Sequence, residues 1–286
     1  MNFMKSQTLF VLFVSIMLVG CNQHAPAPDI SVHDAVEKGE IEVLKQHLAA
    51  GTDVNARDNI SMTPLHWAVG NDLHEIVSLL LNNGADVDAK NEDGMTPLFF
   101  SRSRAIAGIL ISKGAEVNEK DDKGGTPLHA LTHSKEIAEL LIKSGANVNA
   151  KNEYGFRPLT NTGNKETFEL LLANGANPHV QEGEIRMTPL HSAAWEGNWE
   201  IVELLLSNDV DTEVLDARGM TALMLTISSK EEISKDLASI SETARNGEEF
   251  KRLVEMENDL KKVIKILRKH DAQTKGSVEP VMPVRL

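Results

Sequence analysis

A four-residue motif that returns about every thirty residues constrains this chain more than any other feature. Thr63-Pro64-Leu65-His66 recurs as Thr126-Pro127-Leu128-His129 and Thr188-Pro189-Leu190-His191. Variants stand at Thr96-Pro97-Leu98-Phe99, Arg157-Pro158-Leu159-Thr160 and Thr221-Ala222-Leu223-Met224. Successive starts lie 33, 30, 31, 31 and 33 residues apart. Self-similarity at this period marks a solenoid in which each unit stacks only on its neighbours.

A second pattern keeps step with the first. Apolar residues at helical spacing run from Ile76 to Leu81, Ile106 to Ile111, Ile137 to Ile142, Phe168 to Leu172 and Ile201 to Leu206. Each run is followed by a glycine (Gly84, Gly114, Gly145, Gly175) or, in the sixth unit, by Asp209. The residue types fit a helix pair. Threonine at the motif start caps the first helix, and proline follows where its missing N–H costs nothing. The closing glycine takes the left-handed conformation that ends the second helix. Stretches such as Asp86 to Gly94 then form a projecting hairpin, with Gly94, Gly124, Gly155 and Gly219 at matching turns.

On these motifs the chain resembles the ankyrin family over residues 29–275. The resemblance implies an all-α repeat solenoid of ankyrin repeats, helix-turn-helix units with projecting β-hairpin loops, about seven in number. A first repeat without the motif precedes the others: Val32 and His33 fall at its Leu and His positions, Asp29 is placed to cap its first helix, and Gly51 ends its second. A terminal repeat that departs from the consensus suits a unit with one face in water.

Two departures set this array apart. The third, fourth and fifth repeats are two or three residues short where the first helix meets the second, which predicts a lowered inner wall there. In the seventh repeat Thr221 and Asp271 are 50 positions apart against 21 between Thr188 and Asp209, an insertion of about 29 residues at 229–257. Ile233, Leu237 and Ile240, then Phe250, Leu253, Leu260, Val263, Ile264 and Leu267, keep helical spacing and predict an extended antiparallel helix pair. A long C-terminal cap and a partner-docking element fit that pair equally.

The first twenty residues read as an export signal. Lys5 precedes an apolar run from Leu9 to Val19, too short to span a bilayer comfortably. The run ends in Leu18-Val19-Gly20-Cys21, which resembles the lipobox of bacterial lipoproteins. That resemblance implies a signal peptide at 1–20, lipidation of Cys21, a tether at 21–28 and a lipid-anchored protein of the bacterial cell envelope. Asn22 in place of aspartate favours the outer membrane over the inner. Cys21 is the only cysteine, and acylation explains an unpaired thiol in an exported chain. A tail at 276–286 is expected to be disordered.

The net charge of −13 repels phosphate backbones, so no nucleic-acid partner is expected. No glycine-rich phosphate loop, HExxH pair or nucleophile elbow is present, so neither an enzyme nor a cofactor is expected. His129 and His133 share the i, i+4 spacing of metal ligands, but no third ligand is evident and no metal site is expected. In the ankyrin family the motif histidine instead hydrogen-bonds within and between repeats.

The resemblance places partner contacts on the hairpin tips and the inner face of the first helices, a concave surface. Carried onto this sequence, the tip residues include Arg57, Asn59, Lys90, Glu92, Asp121, Tyr154 and Asp216. On the first helices, Trp67 and Phe100 share one register, and Asn71 another with Trp195 beside it. Aromatics make up only 4% of the chain, so Trp67, Tyr154 and Trp195 are the candidate anchors, with partial burial between repeats as their alternative role. Trp199 is expected to pack. The implied function is a membrane-tethered scaffold for an unidentified protein partner. The alternative is a dedicated inhibitor, chaperone or regulator of an exported enzyme.

Overall fold

The computed structural model describes residues 27–240, 245 and 247–275. The signal peptide, Cys21, most of the tether and the tail lie outside those residues.

The described chain forms seven repeats in sequence order, each a first helix or turn followed by a second helix. They are α1 (Val32–Glu37) with α2 (Ile41–Ala49), and α3 (Pro64–Gly70) with α4 (His74–Asn82). A 3-10 turn, Pro97–Phe100, pairs with α5 (Arg104–Ser112), and α6 (Pro127–Ala130) with α7 (Lys135–Lys143). A turn over 158–161 pairs with α8 (Lys165–Ala173), α9 (Pro189–Trp195) with α10 (Trp199–Ser207), and α11 (Ala222–Ser239) with α12 (Glu248–Lys275).

Second helices form because two adjacent apolar residues and a third one turn later share a face. Ile76, Val77 and Leu80 do so in α4, Ile137, Ala138 and Leu141 in α7, and Ile201, Val202 and Leu205 in α10, all buried. Each fully buried leucine contributes about 1.5–3 kcal/mol. They join one apolar cluster that runs from Val32 to Leu267.

The ends are set locally. After α4 the Ala85 amide reaches back to the Leu80 carbonyl at 3.0 Å while Gly84 sits at φ +85°, the wrap that stops a helix. Asp209 takes the same left-handed region at φ +53° in the sixth repeat. The first helix of the stack departs from expectation: its cap is Ser31, whose Oγ accepts the Asp34 amide at 3.0 Å, not Asp29. Asp29 precedes the extended residue that a cap must occupy by two positions.

First helices vary along the stack. They span seven residues in the second and sixth repeats, four in the third and fourth, and only a turn in the fifth. Three residues fewer shorten a helix by about 4.5 Å, so the inner wall dips between α3 and α9.

The 229–257 segment lies in the outer parts of α11 and α12. There Ile233, Leu237, Leu253 and Val254 are only half-buried, while Leu260, Val263 and Leu267 nearer the stack are buried. Ser234 donates to Glu257 at 2.6 Å and binds the two arms together. Close to the stack, Thr226 donates to the Ala194 carbonyl at 3.3 Å and Thr212 to Asp271 at 2.9 Å. Among the described residues no helix is long and apolar enough to cross a membrane.

Candidate functional site

Motif histidines join each repeat to the next. The Thr63 amide donates to His66 Nδ1 at 3.1 Å, and the Thr63 hydroxyl lies 2.9 Å from the same nitrogen. On the other side His66 Nε2 reaches the Met95 carbonyl, 29 residues on, at 3.1 Å. A nitrogen that accepts from an amide carries no proton, and one that faces a carbonyl must donate, so the ring is the neutral Nε2–H tautomer. His129 repeats this with Thr126 and the Phe156 carbonyl, and His191 with Thr188 and the Met220 carbonyl. Burial pushes all three rings below the usual histidine pKa, in keeping with the neutral form. His33 does the same work in the motif-less first repeat, with Nε2 3.1 Å from the Met62 carbonyl. With both ring nitrogens of His129 engaged, its pairing with His133 offers no metal ligand.

The fifth repeat solves the junction differently. Arg157 and Thr160 stand where threonine and histidine stand elsewhere, and Glu182 from the next loop closes on both. Its carboxylate accepts from the Arg157 guanidinium at 2.5 Å, the Arg157 amide at 3.1 Å and the Thr160 hydroxyl. The Glu182 side chain has no solvent exposure.

The projecting loops are tight hairpin turns closed across the base by backbone bonds, such as the Asp58 amide to the Met62 carbonyl at 3.0 Å. Among the described residues only Glu182 and Met187 form an isolated antiparallel bridge. Apart from the loop that Glu182 opens, each tip is closed by the side chain of its first residue. Asp58 Oδ1 accepts the Ile60 and Met62 amides, Asp121 Oδ1 those of Lys123 and Gly125, and Asp216 Oδ1 those of Arg218 and Met220. Burial opposes the charge on Asp216, but these amides and the Arg218 ion pair at 2.8 Å outweigh it and hold the carboxyl below its ordinary range. Asp216 is buried, so it closes a turn and presents no contact surface; Asp121, half-buried, has the same task. The edges of the tips pair with neighbouring repeats, as Glu92 N–H does with the Ile60 carbonyl at 3.2 Å and Glu153 N–H with that of Lys123 at 2.8 Å.

Arg57 and Lys90 are also occupied. Each precedes its tip and donates to the carbonyl of the equivalent residue one repeat on: Arg57 to Lys90, Lys90 to Lys120 at 3.1 Å. Gln181 continues the row by donating to the Leu215 carbonyl at 2.8 Å. Lys90 further pairs with Glu119 at 2.6 Å. These two exposed cations therefore stitch the loops together.

Of the first-helix candidates, Trp67 is half-buried and donates its indole N–H to Asp58 at 2.8 Å. Burial raises the Asp58 pKa, but that bond and the turn amides prevail and keep it lowered. Phe100 is half-buried, edge-on to the His66 ring at 5.7 Å. Asn59, Asn71 and Glu92 are exposed. Trp195 is 58% exposed and Tyr154 56% exposed. Trp199 is half-buried under Lys262, whose Nζ lies 5.3 Å from the ring centre.

Sequence reasoning missed two members of this surface. Ile185, at a tip, is 43% exposed, and Leu215 is 49% exposed. Leu215 has a legible signal: it occupies the column held by Arg57, Lys90, Lys120 and Lys151, where an apolar residue is out of place. Tyr154, Ile185, Leu215 and Trp195 all belong to the fifth to seventh repeats, beside the dip between α3 and α9. Tyr154, Ile185 and Leu215 stand at or beside successive tips and Trp195 at the end of α9. Large side chains with low conformational cost suit the centre of a protein interface.

Comparison with known proteins agrees with this architecture. A family model described as ankyrin repeats in three copies matches residues 32–121 and 160–247, and a single ankyrin-repeat model matches 123–153. Among solved structures, the ankyrin repeat domain of Bcl-3, a member of the IkappaB protein family, superposes with a TM-score of 0.57 at 26% identity. The match covers 70% of this chain and 95% of that one. An acyl-CoA-binding domain-containing protein 4 from Oryza sativa subsp. japonica is 50% identical over 38 residues, 13% of this chain and 11% of the relative. The ARF GTPase-activating protein Git of Drosophila melanogaster is 41% identical over 64 residues, 22% and 9% of the two chains. The chain thus spans about a tenth of the length of these curated relatives.

Proposed function

Because this chain belongs to the ankyrin-repeat family, a family of protein-interaction domains, we propose that it is a non-catalytic scaffold that holds its partner on the concave face of the fifth to seventh repeats. The observation that carries this reading is the group of exposed apolar side chains there, led by Trp195 at 58% exposure. Arg57, Lys90, Asp121 and Asp216 are engaged within the stack, which leaves Tyr154 and Trp195 as anchors, with Asn59, Asn71 and Glu92 as polar contacts toward the other end. The dip over the third to fifth repeats admits a partner segment that full-length first helices would exclude.

The same proposal includes the anchor. Lipid on Cys21 would hold the scaffold in the bacterial envelope, in the outer membrane by the Asn22 criterion, and raise its effective concentration for a membrane-associated partner. The test has two arms. Crosslinking in intact cells followed by pull-down identifies the partner; Trp195→Ala then weakens its binding by about tenfold or more while the fold is retained. Unchanged affinity removes Trp195 from the site. Mass spectrometry of the mature chain finds Cys21 acylated and N-terminal; an unmodified Cys21 there ends the tether reading.

A further inference from the structure

The last helix carries a charge opposite to that of the chain. Over residues 258–275 six lysines and arginines stand against two aspartates, in a protein of net charge −13. Lys261 and Lys262 pair with Glu257 and Asp259. Lys265, Arg268 and Lys269 are exposed, and no carboxylate among the described residues pairs with them. Lys265 and Lys269, one turn apart, therefore point free charge in the same direction.

They border an open groove of about 420 Å³ between α10 and α12. Its floor is Trp199, Leu206 and Ile266, and Lys262 rests on the Trp199 ring. Across the groove from the lysines stands Glu203. The groove lies between second helices, and neither Trp195 nor a tip residue lines it.

We propose that this groove is a second docking site, which takes an acidic segment of a partner protein with an apolar side chain seated on Trp199, Leu206 and Ile266. Charge complementarity selects this occupant. The two free lysines call for carboxylates, and the apolar floor calls for a hydrocarbon side chain that a phosphate backbone does not offer. Glu203 on the facing rim repels a ligand that is anionic on all sides and sets the segment with its carboxylates toward α12. At longer range the acidic body disfavours extended polyanions. The scaffold then has two faces, one apolar and one basic, able to hold two partners at once.

The test uses the full chain with Cys21→Ser and a synthetic peptide in which leucines at i and i+3 are flanked by glutamates. Its readout is the indole N–H resonance of Trp199. The peptide shifts that resonance saturably. Lys265→Glu/Lys269→Glu weakens binding by about tenfold or more, as does an analogue with glutamine for glutamate, whereas Lys123→Glu/Lys151→Glu does not. Both lysine pairs are exposed, and equal melting temperatures of the variants confirm that the fold is kept. No shift, or equal affinity for the glutamine analogue, overturns the proposal. So does any of three rival occupants. One is a second copy, seen as concentration-dependent sedimentation abolished by Lys265→Glu/Lys269→Glu. Another is residues 276–286, seen as peptide binding that appears only when they are removed. The third is anionic phospholipid vesicles that shift Trp199 as strongly as the peptide.

Discussion

Two kinds of junction hold the same stack together, and they are built on opposite electrostatics. At His66, His129 and His191 a neutral ring bridges a threonine and a carbonyl of the next repeat, so no charge is buried. At the fifth repeat the bridge is an ion pair between Arg157 and Glu182, with Thr160 as a third partner and the Glu182 side chain fully sequestered. A neutral junction fails gently when one member is lost. A charged one leaves its partner stranded in a poor solvent for ions. The fifth repeat is also where the first helix has shrunk to a turn.

The largest effect should therefore come from Glu182→Ala, which removes three acceptor contacts and leaves Arg157 unpaired. We expect a loss of about 3–5 kcal/mol, read as lowered hydrogen-exchange protection at Phe168 and Leu171. In a stack whose units touch only neighbours, the loss should be confined to the fifth and sixth repeats. The sharper experiment is the exchange of one junction for the other, Arg157→Thr with Thr160→His and Glu182→Asn. If the two are interchangeable designs, the triple variant is more stable than Glu182→Ala alone. Equal instability would mean that the charged junction serves the short turn and cannot be replaced.

His129→Ala and His191→Ala should cost less, about 1–3 kcal/mol each, because each leaves one buried carbonyl and one threonine amide without a partner. Urea titration with a probe in the affected repeat measures this. A cost as large as that of Glu182→Ala would erase the distinction between the junctions.

How much of this was legible follows the same division. The period and the closing glycines are carried by residues repeated in phase, the bridging role of the histidines follows from the ankyrin resemblance, and His33 could be placed by counting alone. The shortened first helices were legible as missing residues. Glu182 was not, because its partners lie 25 and 22 residues away and the motif change at Arg157 and Thr160 reads as simple decay. Asp216 was misplaced for a related reason: an aspartate at a loop tip looks solvated until its oxygens are found on the Arg218 and Met220 amides. The apolar group around Trp195 was half legible, its aromatics by type and Leu215 only by its column.

Proton linkage reports on the histidine junctions without any mutation. The three buried rings have pKa values below the ordinary 6.5, so the unfolded chain takes up protons that the folded one refuses. Their contribution is complete above about pH 6.5 and declines as the pH falls below it. Asp58 and Asp216, also lowered, lose theirs only beneath the ordinary carboxylate value of 3.8. Urea midpoints taken downward from neutral pH should fall first through the histidine window, and less in His129→Ala than in the parent. A flat profile between pH 7 and about 5 would contradict the neutral rings.

The smallest effect is expected outside the junctions, in the row of long side chains that precede the tips. Lys90 donates to the Lys120 carbonyl and pairs with Glu119, but it does both in water, where such contacts are worth about 0–1 kcal/mol. Lys90→Ala should therefore leave global stability within that range. Hydrogen exchange at the Asp122 amide, which closes onto the Asp93 carbonyl at 2.9 Å, should still rise as the loops lose one of their stitches. Unchanged exchange there would mean that backbone pairing alone aligns the tips, and that Lys90 is free to meet a partner after all.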